Sequence, residues 1–325
     1  MKYLIVKSSS LGDIIHAFPV LDYLREKCPE AQIDWVVEAS FAELVRAHPS
    51  VDRVICVDTK KWRGKLWKNS REIRAFRREI QSESYDLAFD LQGNVKSGLI
   101  LSQTKAKKKI GFGWKTVAEW PNGLFTNCKF DPPAGKNIRE DYLYLVQKSF
   151  GDESPYQMSD MILKITEEEQ KVLSSLLAKP HRVLVCPGAA WPNKQLSYET
   201  LVSELNKQTA SFFFAWGTEE ERTLSQKLCD HFGERGELLD RLSLPLLQNL
   251  MRGMDLVVAM DSLPLHLAGT TPTPTLSFFG PSSAKKYAPI GDHHHFTQGE
   301  CPYNIHFEKR CPKLRICPTG KCLKN

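Results

Sequence analysis

The chain has 325 residues, 42% of them hydrophobic, which is more than one ordinary core holds and enough for two. Its formal charge of +6 is modest for that length and unevenly placed. No apolar run reaches the length of a membrane-spanning helix, and the short run at residues 3–6 gives way to polar residues and Gly12 instead of a leader's apolar core, so a cytoplasmic protein is the expectation.

The first predicted strand, "YLIVKS", runs into "SSSLGD" and then returns at once to apolar residues. That turn lacks both the dinucleotide fingerprint and the lysine-containing phosphate loop. Asp13 has two readings there. It can cap the following helix by accepting backbone N–H bonds, or act as a carboxylate base at a strand end, taking a proton from an acceptor hydroxyl. The strands "IDWVVE" and "RVICVD" follow. Residues 60–78 then hold nine Lys or Arg against one acid, Glu72. Ile73, Phe76 and Ile80 recur there at helical spacing, which fits a solvated helix face. The same stretch, with Trp62 and Trp67, fits a surface for an anionic partner equally well. "YDLAFDLQG", the basic run "KAKKK" at residues 105–109 and "KIGFG" complete the first half.

The polar stretch "SFGDESPYQMSD" at residues 149–160 marks a boundary, and Thr166 with Glu169 forms a capping box that opens the next helix. In the second half, "RVLVCPG" leads to "AAWPNKQLS", where Lys194 presents an ammonium suited to phosphate oxygens. "SFFFAWG" leads to "TEEER", whose acids, Glu219 to Glu221, either accept ribose hydroxyl protons or complement a helix macrodipole. "DLVVAMD" leads to "SLPLHLAG", where a helix N-terminus with Asp261, Ser262 and His266 offers donors to a diphosphate. "TLSFFG" is the last predicted strand. Continuous apolar runs alternating with helices indicate an α/β protein of parallel sheets covered on both faces. Two doubly wound domains, residues 1–155 and 156–300, are expected to face a central cleft, followed by a cysteine-rich tail at 301–325.

Five of the nine cysteines (Cys28, Cys56, Cys128, Cys186, Cys229) are scattered as buried thiols usually are. Cys301, Cys311, Cys317 and Cys322 crowd the tail, without the CxxC pair that zinc sites favour. Metal, disulfides and free thiols all stay open there, and His293, His294 and His295 nearby add further nitrogen donors or an exposed loop.

The stretches "LIVKSSSLGDIIHAFPVL", "YDLAFDLQGNVKSGLI", "PGAAWPNKQ", "WGTEEER" and "DSLPLHLAG" together resemble the ADP-heptose:lipopolysaccharide heptosyltransferases of glycosyltransferase family 9, across residues 1 to about 290. The resemblance implies a GT-B enzyme that inverts the anomeric carbon and needs neither cofactor nor catalytic metal. It implies Asp13 as general base. Lys194, Asp261, Ser262 and His266 would hold an ADP-sugar, with Glu219 or Glu221 on its ribose. Ser10, Gln92, Lys60, Lys61, Arg63 and Lys65 would meet an anionic, lipid-linked saccharide at the cytoplasmic membrane face, and no nucleic acid is expected. Three departures stand out: Leu263 and Pro264 where the family usually has glycine, Ala118 where an acceptor-side arginine is usual, and the tail. Protein heptosyltransferases of the same family bind iron through cysteine-rich endings. A different sugar nucleotide, a protein acceptor, or a non-catalytic basic binding protein are the alternative expectations.

Overall fold

Each of the nine apolar runs forms a strand, because residues covered on both faces gain burial from every side chain. A computed structural model describes residues 1–64, 67–155, 160–317 and 319–324. The chain divides into two units, Met1–Ser159 and Asp160–Asn325. The first unit holds β1 (Lys2–Val6), β2 (Gln32–Glu38), β3 (Arg53–Val57), β4 (Ser84–Asp90), β5 (Lys105–Phe112) and β6 (Cys128–Phe130). The second holds β7 (Arg182–Cys186), β8 (Ser211–Phe214), β9 (Gly236–Leu238), β10 (Leu256–Met260), β11 (Thr275–Phe279) and β12 (His294–Gln298).

Both sheets are parallel throughout, ordered β3-β2-β1-β4-β5-β6 and β12-β11-β10-β7-β8-β9. In the first, the chain leaves β1 toward one edge and β4 toward the other. In the second, β7 and β10 part in the same way. These are the topological switch points, where the loops beyond the strand ends diverge and leave room for a ligand.

Side chains from β1 to β4 (Leu4, Val6, Val36, Ile55, Ala88) pack with Phe76 and Ile80 of the helix Ser70–Ile80. In the second unit Val183, Val185, Phe212, Phe214, Val258 and Met260 form the centre, and Leu323 from the cysteine-rich ending joins them. Burial of each such side chain contributes roughly 1.5–3 kcal/mol. The ending is fastened further by the Cys311 N–H to the Pro281 carbonyl at 2.7 Å and the Ser283 N–H to the Lys309 carbonyl at 3.0 Å. It therefore packs as part of the second unit.

Three strands carry no apolar run in the sequence: β6, β9 and β12. Each is the outer or a three-residue strand of its sheet, and β12 (HHFTQ) is exposed along most of its length. The histidine triplet lies at the start of β12, where His294 is buried and its Nδ1 sits 3.1 Å from the Thr275 hydroxyl. The cysteines pack beyond the other end of that sheet, so the histidines are not their neighbours. Among the described residues no helix is long and apolar enough to cross a membrane.

Candidate functional site

At the first switch point the turn after β1 meets the turn after β4. Ser10 caps the helix Leu11–His16, and the Asp13 carboxylate accepts from the Ser10 hydroxyl at 2.7 Å and the Ser10 N–H at 3.2 Å. Asp13 thus takes part in capping while remaining partly open to solvent. Gln92 lies beside it in space: its Oε1 accepts the Ser9 N–H at 3.3 Å.

Two buried residues hold these turns, and the sequence reading missed both. Asp90, at the end of β4, accepts from the Gln92 and Gly93 N–H groups, the Ser97 hydroxyl and the Asn122 amide at 2.6–3.0 Å. Burial pushes its carboxyl up while those four donors oppose the shift. Lys7, 2% exposed, donates to the Leu91 carbonyl at 3.0 Å and the Tyr142 hydroxyl at 2.8 Å. A polar residue directly after an apolar strand is the signal for either.

The basic segment divides. Lys60 and Lys61 lie on the short helix Thr59–Trp62, anchored by the Thr59 N–H to the buried Glu38 carboxylate at 3.1 Å. Lys60 and Arg63 are exposed, and Lys61 pairs with Glu72 at 2.6 Å. Lys65 lies outside the described residues. Of the two tryptophans, Trp67 is 94% exposed, whereas Trp62 packs on Phe76 with ring centroids 5.7 Å apart. The second basic run belongs to the first half of β5, away from the strand ends, where β6 pairs only with residues 110–112. Lysines there guard a sheet edge and do not reach the turns around Asp13.

At the second switch point the turn after β7 carries Lys194 in a single 3-10 turn, Pro192–Lys194. Its ammonium lies 2.5 Å from Asp261 Oδ2, just past the end of β10, with 12% and 3% of the two side chains exposed. Asp261 also accepts from the Ser282 hydroxyl, and His266 Nε2 stands 3.6 Å from its other oxygen. Burial raises the Asp261 carboxyl, but the Lys194 and His266 charges outweigh it and hold the group below its usual range. Ser262 stands at the N-cap position of the helix Leu263–Ala268, and its hydroxyl donates to the Gly188 carbonyl at 3.1 Å instead of capping the helix. Pro264 falls in the first turn of that helix, where its missing N–H is no loss.

Gly188 packs where a Cβ would meet the Glu221 carboxyl at 2.3 Å, which brings Glu221 to this turn. Glu221 itself accepts the Gly217 and Thr218 N–H groups at 2.8 and 3.2 Å, closing a capping box on the helix Glu219–Phe232. Glu219 points away, 77% exposed, 3.7 Å from Arg222. The structure thus gathers Lys194, Asp261, Ser262, His266 and Glu221, and adds Ser282. Among the described residues no three His, Cys, Asp or Glu side chains stand close enough together to hold a metal ion. The arrangement offers one ammonium, one imidazole and a hydroxyl around a buried carboxylate, a set with N–H and O–H donors for the oxygens of a diphosphate.

Comparison with known proteins gives this geometry a context. The profile of glycosyltransferase family 9 (heptosyltransferase) matches residues 73–316. Lipopolysaccharide heptosyltransferase 1 of Salmonella typhimurium is 30% identical over 87% of this chain and 89% of its own. The Escherichia coli protein of the same name is 30% identical over 87% and 88%. The solved structure of the E. coli heptosyltransferase WaaC with ADP superposes with a TM-score of 0.78 at 27% identity, covering 92% of this chain and 94% of that one. E. coli heptosyltransferase II superposes with a TM-score of 0.72 at 18% identity, over 99% and 96%, which speaks to the fold alone.

Proposed function

The chain belongs to glycosyltransferase family 9, the heptosyltransferases, and from that membership we propose that it transfers heptose from ADP-heptose to the Kdo-lipid A inner core of lipopolysaccharide, inverting the anomeric carbon without a catalytic metal. The observation that carries this reading is the buried Lys194–Asp261 pair at the second switch point, ringed by His266, Ser262 and Ser282. WaaC has been solved with ADP and with ADP-2-deoxy-2-fluoro heptose, so an adenosine diphosphate sugar is the ligand this pocket is proposed to take. Glu221, beside Gly188, is the acid for its ribose.

In the proposed step Asp13 takes the proton of the acceptor hydroxyl. The freed oxygen forms a bond to the anomeric carbon as the bond from that carbon to the phosphate oxygen breaks. ADP leaves with the electron pair, and Lys194 and His266 offset its charge. Lys60 and Arg63, both exposed, supply cations for an anionic lipid-linked acceptor and for the face of an anionic membrane, and the exposed Trp67 supplies an apolar ring. Ser10 and Gln92, next to Asp13, are proposed acceptor contacts.

The test is mass spectrometry of products from Kdo-lipid A mixed with ADP-heptose and, separately, other ADP-sugars. A heptose added to the lipid only in the first mixture is the expected result, and consumption of another donor would replace the sugar assignment. Asp13→Asn should fold, bind ADP normally and lose about 10²–10⁴ in rate. Turnover within a few-fold of the unaltered enzyme removes Asp13 as the base.

A further inference from the structure

The first unit shows water a group of large apolar side chains that the proposed transfer does not use. Trp114, Trp120 and Leu124 are 50%, 63% and 67% exposed, all within the loop between β5 and β6. The two indoles lean on one another with ring centroids 5.7 Å apart, and the Lys129 ammonium sits 5.3 Å from the Trp114 centroid. Ala118 and Pro121, also exposed, add apolar surface without charge. Clustered apolar exposure of this kind marks a surface that meets something.

The frame beneath holds these side chains outward. Asn122, fully buried inside the 3-10 turn Trp120–Leu124, donates to the Asp90 carboxylate at 2.6 Å and the Asn94 carbonyl at 2.8 Å. Gly123 gives Trp114 its seat, since a Cβ there would stand 2.4 Å from the indole. Phe125 fills the space over Gly98 of the helix Val95–Ser102 just as closely, 2.4 Å from where a Cβ would be. The acids of this region are turned onto the frame. Glu119 accepts the Val95 N–H at 2.8 Å, and Asp131 accepts the Lys115 N–H at 3.1 Å and the Thr116 hydroxyl at 2.7 Å.

Chemistry and position together select the occupant. An indole has an apolar body and one N–H, which suits the boundary between lipid headgroups and acyl chains. Lys115, exposed, and Lys129 beside the ring add cations for anionic headgroups. The Glu119 N–H donates to the Gly93 carbonyl at 3.0 Å, so the loop abuts the turn that carries Gln92, a proposed acceptor contact beside Asp13. An acceptor whose lipid stays in a bilayer meets that turn only when the bilayer surface is brought to it.

We propose that Trp114, Trp120 and Leu124 form an apolar foot that inserts into the interface of an anionic lipid bilayer, next to the acceptor turn. Its use rests on the lipid-linked acceptor reading, but the insertion itself needs no substrate. It is separate from the attraction of Lys60 and Arg63 to such a surface, because salt screens exposed charges and leaves the burial of apolar rings in place.

The full chain is mixed with vesicles of phosphatidylglycerol and phosphatidylethanolamine, without saccharide acceptor, in about 0.5 M salt to suppress the charge contribution. Sedimentation should show residual binding, and lipids brominated along the acyl chain should quench part of the tryptophan fluorescence. Trp120→Ala with Leu124→Ala should weaken that binding about tenfold and remove most of the quenching. Ile162→Ser, at a 54% exposed position of the second unit, should change neither. Trp120→Phe keeps an apolar ring, so binding should hold while the quenching drops. Should the double variant unfold, the quenching of the unaltered chain and of Trp120→Phe still decides. Absence of salt-resistant binding by the unaltered protein overturns the proposal, as does equal binding by the double variant. So does a dimer of the unaltered chain that the double variant breaks, which assigns the patch to a second copy. Transfer to a de-acylated, water-soluble acceptor should be unchanged in the double variant. A loss there as large as with the lipid-borne acceptor makes the loop a saccharide contact and overturns the foot. Absence of any transfer by the unaltered chain counts against the transferase reading alone.

Discussion

Asp261 is a carboxylate kept charged in a place that burial disfavours. Lys194 and His266 hold it ionised, so the pair contributes stability that is complete above the unfolded carboxyl's pKa of about 3.9 and drains away as pH falls through the lower folded value. Lys194→Met should cost about 3–5 kcal/mol at pH 7, since it strands a buried charge, and should weaken ADP binding at least tenfold. The stability gap to the unaltered protein should narrow toward pH 3, where the stranded carboxyl takes up a proton. Urea melts at the two pH values and calorimetry with ADP check both halves, and a gap that is constant with pH contradicts the assignment. Asp13, Lys194, Asp261 and His266 were legible in the sequence because each is a polar group in the turn or helix start that follows an apolar strand. Ser282 was not, because its partner lies 21 residues upstream and only the pairing of β10 with β11 brings the two turns together.

At the level of elements, nine strands could be read from unbroken apolar runs, and the three that could not are the short or outer ones, which need no apolar residues on their uncovered side. Helix starts announced themselves equally well: Thr166 with Glu169 forms the expected capping box. The acidic run at residues 219–221 was ambiguous for a physical reason, since a helix N-terminus and a ribose both call for a carboxylate. Glu221→Gln separates the two uses. The amide oxygen still accepts the Gly217 and Thr218 N–H groups, so the melting temperature should hold, while ADP affinity should fall about tenfold. Thermal melts and calorimetry on the same preparation read both, and an unchanged affinity leaves Glu221 a cap and nothing more.

Across the molecule, charge is sorted by task. Lys60 and Arg63 are exposed after β3, while most lysines of the second basic run lie along a sheet edge. Composition alone could not distinguish these runs, because only the strand direction puts them at different ends of one sheet. Reversing Lys60 and Arg63 together to glutamate should weaken binding to vesicles of phosphatidylglycerol and phosphatidylethanolamine at least tenfold. Raising the salt should weaken the unaltered protein in the same way. Sedimentation with such vesicles measures both, and salt-independent binding contradicts an electrostatic dock. The lysines of β5 have a quieter consequence. Between Lys105 and Lys108 the backbone is not laddered to β6, and the like charges at that border disfavour edge-to-edge pairing between copies. Acetylating those amines would turn the same border into a seed for filaments without disturbing either switch point.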